Sequence, residues 1–457
     1  MIPVVTRDEM RAIDAAAPEA VEVLVERAGS AVARAAFDML GGAYGRRVNV
    51  LAGPGNNGAD GRVAAERLRE RGASVRVFDA RDLPPALPAS DLAIDAAFGT
   101  GFRGEWQAPD VGGALVLAVD LPTGLDADTG VAPDSILRAH RTVTLAAAKP
   151  GLFLGDGPDV VGEVTVADIG LPVTAAMWVV EQADVARWLP RRDRLSHKWR
   201  HAVRLVAGSA GMTGAGALAA GAAQRTGSGM VVASVPGAED AVLATRFPAE
   251  VVTRRTGHVD WSADVLSDIE RFGALVIGPG LGREPATIDA AVRTVAVAPV
   301  PTVVDGDALY ALAADESGAL AALRERPAPT VLTPHDGEFA RLTGAPPSTD
   351  RVGDVRRLAD ESGAVVLLKG PTTLVAAPGG PTYFMVDGDP RLATAGTGDV
   401  LAGAIGALLA MGVPATEAAA AGSWIHARAG AKMAPLGLVA GDVIAAIPFV
   451  LNSLSAS

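Results

Sequence analysis

The chain has 457 residues, a formal net charge of −12 and no cysteine. At roughly 100–200 residues per domain this length holds two or three domains, and two is the working number. The acidic balance weighs against nucleic acid as a partner. Without cysteine, the chain has no disulfide, thiolate nucleophile or Cys-bound metal.

The start, MIPVVTRDEMRAIDAA, carries charges where a secretion signal needs its apolar segment, so a cytoplasmic location is expected. Short apolar runs ending in Gly, Asp or Pro then recur at 48–52, 75–78, 92–95, 115–120, 142–147 and 160–166. Ala-rich segments of helical spacing, such as 59–71, separate several of them. This alternation predicts a parallel sheet built from βαβ units.

Three loops of this half carry chemistry. GPGNNGADG at Gly53–Gly61 follows the first run and opens a helix, where glycines let the backbone approach a ligand closely and free N–H groups favour a phosphate, the competing reading being a plain tight turn. In LAIDAAFGTGFRGE, Asp95 ends a strand ahead of a second Gly loop. In VDLPTGLDADTG, Asp120 ends another strand before a Pro turn, while Asp126 and Asp128 read as a solvated turn.

Together these motifs make residues 1 to about 190 resemble the NAD(P)H-hydrate epimerase domain, with its GxGNNGGDG loop, GTG loop and D-x-P-S-G turn. The resemblance implies that Asn56, Asn57, Gly58, Ala59 and Asp60, with Gly99, Thr100, Gly101, Phe102, Arg103, Gly104 and Glu105, hold the hydrated dinucleotide. It makes Asp120 the acid/base group against the substrate. It also implies a potassium ion on Asn57, Asp95 and Thr123, and such amide, carboxylate and hydroxyl oxygens suit a hard cation. Ala59 stands where the family has glycine, which requires that the position not demand positive φ. Thr123 replaces serine and keeps the hydroxyl. Lys149 in AAAKPG is left without a role.

Between 178 and 200 the chain changes character, with Trp178, Trp188 and Trp199 among clustered arginines and no clear period. The expected domains are therefore 1–195 and 196–457. A second series of apolar runs follows at 203–207, 231–235, 274–277, 302–304, 330–333 and 365–368, with a hairpin near 373–386. Val400–Val413 is too short to span a bilayer, which takes about 20 residues, and reads as a buried helix.

KGPTT at Lys369–Thr373 ends a strand, and AGTGD at Ala395–Asp399 opens that buried helix. A helix start with adjacent Gly N–H groups stabilises charge on a transferred phosphoryl group, and Asp399 can accept a proton from an attacking hydroxyl. These are the parts of a hydroxyl kinase site. His197 and His201 are four apart, but Lys198 stands where a helical zinc motif needs Glu, which favours a non-metal reading.

The Asp399 helix start resembles the ribokinase-like superfamily. GSAGMTGAG from Gly208, IGPGLG at Ile277–Gly282 and TPHDGE at Thr333–Glu338 narrow it, over 197–457, to the ADP-dependent NAD(P)H-hydrate dehydratases. The resemblance implies substrate contacts from Ala215, Gly280, His335 and Asp399, and ADP contacts from Lys369, Gly370, Pro371, Thr372, Thr373 and Gly398, with Mg²⁺ on the phosphates. The segment WRHAV after His197–Lys198 departs from the family's glycine-bearing turn.

The expected fold is thus α/β in two domains, a Rossmann-like doubly wound sheet followed by a ribokinase-like one. The expected function is bifunctional: epimerisation of R and S NADHX and NADPHX, then dehydration of the S form at the expense of ADP, giving AMP and phosphate. No membrane partner is expected, and the Ala- and Gly-rich helices suit a homo-oligomer. Two alternatives stay open: a vitamin or sugar kinase fused to a dinucleotide-binding regulatory domain, and a binding or scaffolding protein with a degenerate site.

Overall fold

A computed structural model describes residues 1–102, 104, 106–191, 193–239, 247–315 and 318–455. The chain divides into two compact units, one from Ile2 to Trp178 and the other from Val179 onward together with Met1. The division falls upstream of the expected 195/196 junction for a packing reason. The Val180 N–H donates to the Phe384 carbonyl at 3.1 Å, and the Trp188 and Tyr383 rings lie 5.5 Å apart, so this stretch belongs with the C-terminal unit.

In the N-terminal unit six strands form one parallel sheet: β1 (Arg47–Ala52), β2 (Ser74–Asp79), β3 (Leu92–Ala96), β4 (Leu115–Val119), β5 (Arg141–Leu145) and β6 (Glu163–Ala167), in the order β2-β1-β3-β4-β5-β6. Alternate residues feed two cores. Val48, Val50, Ile94, Leu117 and Val119 join residues of α1 (Val21–Leu40) and α2 (Asn56–Glu70), while Leu51, Ala93, Val116 and Ala118 join Leu137 and Ala139. Burial on both faces explains why these runs are continuously apolar rather than alternating.

The turn from β1 into α2 is tight enough to require glycine. A Cβ on Gly53 would lie 1.8 Å from the Ala97 carbonyl oxygen, and one on Gly58 2.0 Å from the Gly53 carbonyl oxygen. Ala59, by contrast, lies in the first turn of α2 and has no positive φ, so the family glycine is dispensable there.

The C-terminal unit is built on β7 (Ala202–Val206), β8 (Met230–Ser234), β9 (Val252–Thr253), β10 (Ala274–Ile277), β11 (Thr302–Val304), β12 (Thr330–Leu332), β13 (Val365–Leu368), β14 (Thr373–Ala376) and β15 (Thr382–Met385). They run in the order β15-β14-β13-β12-β11-β10-β7-β8-β9. Pairing is parallel from β13 to β9 and antiparallel for β13/β14 and β14/β15, the latter being the expected hairpin with Thr373 opposite Met385.

The helices that matter for the site are α3 (Thr213–Thr226), α4 (Asp336–Thr343), α5 (Thr397–Ala410) and α6 (Ala415–Ala431). The apolar tract expected as a buried helix is α5, buried from Val400 to Ala410. No helix among the described residues is long and apolar enough to cross a membrane. Close approach of α5 to α3 rests on Gly403, where a Cβ would lie 2.1 Å from the Ala219 carbonyl oxygen. Gly403→Ala gains about 1 kcal/mol of helix propensity but meets backbone that must move, a cost of about 1–3 kcal/mol. The midpoint of the C-terminal unit's thermal unfolding is expected to fall, and an unchanged or raised midpoint would show that the helix pair has room.

Candidate active sites

At the carboxyl end of the N-terminal sheet, β1, β3, β4 and β5 each deliver a loop, where open α/β sheets bind ligands. Asp95, at the end of β3, is fully buried. It accepts from the Thr123 N–H at 2.8 Å, the Thr123 hydroxyl at 2.7 Å and the Ala97 N–H at 3.3 Å. Burial pushes its carboxyl up, and those hydrogen bonds oppose the shift. The Thr123 hydroxyl also accepts from the Phe98 N–H at 3.1 Å.

Gly99, next in the chain, has the Asn57 side chain beside it, with Cβ and Cγ 3.6 Å from where a Gly99 Cβ would sit. Both polar atoms of the Asn57 amide are buried with no protein hydrogen-bond partner. Native interiors pair such atoms, so an orphaned amide points to a ligand.

Asp120 follows β4 in a left-handed conformation, φ +69°. Its Oδ1 accepts from the Thr144 hydroxyl at 3.1 Å and the Leu145 N–H at 3.3 Å, and it forms an ion pair with Lys149. Asp60, 3 % exposed near the start of α2, is pushed up to about 8 by burial and then by the charge of Asp120. A cavity of about 260 Å³ is lined by Gly99, Thr100, Phe102 and Gly104 on one side and by Arg7 and Gly124–Ala127 on the other. Asp126 and Asp128, expected as a solvated turn, both pair with Arg7. Of the expected dinucleotide contacts, Arg103 and Glu105 lie outside the described residues.

In the C-terminal unit the loops after β7, β10, β11, β12 and β13 meet the start of α5. The Gly208 N–H donates to the Pro279 carbonyl at 2.7 Å, and a Cβ on Gly280 would lie 2.8 Å from the Ala215 Cβ, so the expected pair Ala215 and Gly280 are neighbours. Lys369 pairs with Asp305 at 3.1 Å and Glu338 at 3.5 Å. Burial would lower its ammonium, but the charges of Asp305 and Glu338 outweigh that and hold it raised. Gly398 adjoins this group, its Cβ position 3.8 Å from the Lys369 Nζ. Gly370, Pro371 and Thr372 form the turn between β13 and β14, and Thr373 opens β14.

Gly396, φ +92°, caps the start of α5, with Asp399 in its first turn. Burial, reinforced by the charge of Asp305 and opposed by Lys369, pushes the Asp399 carboxyl up to about 7. That is where a general base works best at neutral pH.

Beneath the same helix start lies His426 of α6, its Nε2 buried without a protein partner and its ring pushed down to about 4 by burial. Burial thus favours the neutral ring. His335 has a local duty that its sequence context did not announce: its Nδ1 accepts from the Gly337 and Glu338 N–H groups at 2.9 and 3.3 Å, capping α4.

Sequence reasoning left Lys149 unassigned and passed over Asp305, Glu338 and His426. Asp305 had a signal, since it ends a strand just as Asp95 and Asp120 do. His426, in an Ala-rich helix, had none. The His197–His201 segment is a turn rather than a helix, and the His201 Nδ1 lies 3.3 Å from the Ala410 carbonyl.

Residues 203–442 match the family model described as NAD(P)H-hydrate dehydratase, and residues 21–87 and 79–151 match the YjeF-related protein N-terminus. Over 94 % of its length the chain is 36 % identical to the bifunctional NAD(P)H-hydrate repair enzyme Nnr of Moorella thermoacetica, of which 92 % is covered. It is 38 % identical to the enzyme of that name from Mycobacterium leprae, with the same coverage of both.

Among solved structures, the ADP/ATP-dependent NAD(P)H-hydrate dehydratase of Bacillus subtilis, co-crystallised with ATP and Mg²⁺, superposes with a TM-score of 0.50 at 29 % identity, covering 60 % of this chain and 97 % of that one. A ribokinase-like superfamily protein of Enterococcus faecalis gives 0.54 at 22 % identity, over 62 % of this chain and 98 % of that one, a likeness of fold.

Proposed function

The chain belongs to the family of bifunctional NAD(P)H-hydrate repair enzymes, and from that premise we propose that it restores damaged reduced nicotinamide cofactors at two sites. The N-terminal unit epimerises R and S NADHX and NADPHX. The C-terminal unit dehydrates the S form at the expense of ADP, giving AMP and phosphate. A stereospecific dehydratase alone would strand the R hydrate, which is the chemical reason for joining the two activities.

The observation that carries the dehydratase reading is Asp399 beside Lys369 at a glycine-started helix. Asp399 takes the proton of the C6 hydroxyl as that oxygen attacks the β-phosphorus of ADP, and AMP leaves. Phosphate then departs from C6 and a proton from C5, which restores the ring double bond. Water is a poor leaving group and phosphate a good one, so kinase parts serve a net dehydration. The exposed N–H groups at the start of α5 stabilise the transferred phosphoryl, Lys369 and the turn Gly370–Thr373 bind the nucleotide, and Ala215, Gly280 and His335 line the substrate side. No cluster of three His, Cys, Asp or Glu among the described residues forms a metal cage. Mg²⁺ would be held chiefly by the nucleotide phosphates, as is usual for this ion.

In the N-terminal unit Asp120 moves the proton on the C6 oxygen, as ring opening and reversible loss of water both require, with Asn56–Asp60 and Gly99–Glu105 around the dinucleotide. The orphaned Asn57 amide, the Asp95 carboxylate and the Thr123 hydroxyl are a fitting donor set for K⁺. The ion, when bound, would supply positive charge beside the substrate phosphates. We place the enzyme in the cytoplasm as a homo-oligomer acting on small molecules, with no role for nucleic acid or membrane.

The test is absorbance at 340 nm after mixing the protein with R and S NADHX, ADP, Mg²⁺ and K⁺, beside ATP and nucleotide-free controls. Recovery of nearly all the NADH, with AMP formed in step, is expected. A stable phosphorylated product without NADH would instead select the small-molecule kinase.

A further inference from the structure

Lys149 is 1 % exposed, and its ammonium meets three oxygens: the Asp120 carboxylate, the Thr144 hydroxyl at 3.1 Å and the Leu145 carbonyl at 3.2 Å. It is too deeply enclosed to meet a dinucleotide itself. A buried ammonium is costly unless paired, and a structural ion pair is no better than apolar packing at stabilising a core. Its position is instead tied to the base of the proposed epimerase.

The bonding of Asp120 is one-sided. Every hydrogen bond its carboxylate makes among the described residues lands on Oδ1, from Thr144, Leu145 and Lys149. Oδ2 is left with none. Three donors on one oxygen fix the plane of the carboxylate and present the other oxygen.

The lysine is itself held by the backbone on both sides. Ala148 pairs with Val4 and accepts from the Val5 N–H at 3.0 Å, and Pro150 begins a tight helical turn. The φ of +69° at Asp120 lies in the left-handed region, less populated for aspartate than for glycine, and the three bonds to its carboxylate help to hold the turn.

We propose that Lys149 is a positioning residue for epimerisation, clamping Oδ1 of Asp120, with Thr144, so that Oδ2 faces the C6 centre of the hydrated nicotinamide ring. The proposal rests on the epimerase reading of the N-terminal unit. Inversion at C6 needs a proton moved to or from oxygen with the carboxylate on one line, and small errors in such placement cost rate rather than binding. The clamp therefore acts on kcat, not on KM.

The experiment uses the full-length protein with R-NADHX, following NADH formed when epimerisation is limiting, and S-NADHX as a control read by the other unit. Wild type must convert R-NADHX; if it does not, the epimerase reading fails and the clamp with it. Lys149→Met is expected to lower kcat on R-NADHX by about 10²-fold with KM within about threefold, and to leave the rate on S-NADHX unchanged. Lys149→Arg should recover at least about tenfold of that loss.

A kcat within about threefold of wild type in Lys149→Met overturns the proposal, as does a raised KM at unchanged kcat. If Lys149→Met unfolds the N-terminal unit, Thr144→Val decides, because it keeps the lysine and removes one donor to Oδ1. It should lower kcat about tenfold at constant KM, and an unaltered kcat there overturns the clamp.

Discussion

Asp399→Asn is expected to abolish NADH recovery from S-NADHX, lowering kcat by about 10³- to 10⁴-fold, while R and S hydrates still interconvert when assayed by chromatography. Asparagine keeps the size of the side chain and the start of α5 but cannot take the C6 hydroxyl proton. Lys369 keeps Asp305 and Glu338 as partners, so the substitution strands no buried charge and the unit should fold.

The wild-type pH profile follows from the same residue. The Asp399 carboxyl is pushed up to about 7, and only its ionised form is a base, so kcat/KM should fall tenfold per pH unit below about 7 and level off above it. Lys369 opposes the shift, so Lys369→Met should move that limb to higher pH as well as weakening nucleotide binding. A flat profile from pH 5 to 8, or a fully active Asp399→Asn, would remove Asp399 from the role of base.

Asp120→Asn should reduce NADH recovery from an R and S mixture to the S fraction, with epimerisation down by about 10²- to 10⁴-fold and dehydration untouched. The choice of substitution matters. Asp120→Ala would leave Lys149, 1 % exposed, without its counter-charge, a loss that commonly costs about 3–5 kcal/mol. An inactive alanine variant could therefore be an unfolded one. Asparagine also loses the counter-charge, but it keeps an oxygen that accepts from Lys149, Thr144 and Leu145, so the lysine is not left without a hydrogen-bond partner while the base for proton transfer is gone. Full recovery of NADH from the R form by Asp120→Asn would show that another group moves the proton, with Asp60, which feels the charge of Asp120, a candidate.

Much of this was legible in the sequence because the signals are local. Short apolar runs marked 12 of the strands, with Ala274–Ile277, Thr302–Val304 and Val365–Leu368 matching their expected ranges to the residue. Gly53 and Gly58 stood out as residues that let a ligand approach the backbone, and what the structure shows at both is a tight turn whose own carbonyls leave no room for a Cβ. Asp120 and Asp399 stood out because each follows a strand or opens a helix in a turn of small residues. What these acids are bonded to is another matter. Lys149 reaches Asp120 across 29 positions and Lys369 reaches Asp305 across 64, and neither spacing carries a periodic signal.

Local residue patterns are enough for the two α/β halves, the loops that bear chemistry and the family they resemble, since each depends on residues within a turn or strand of one another. Tertiary structure alone decided which oxygen of Asp120 is occupied, that Asp305 and Glu338 share Lys369, that His426 lies neutral under α5, and that 179–195 belongs with the second unit. Those facts follow from strand order and parallel register, which bring distant loops to one edge of a sheet, and from burial there, which sets the charge each group can hold.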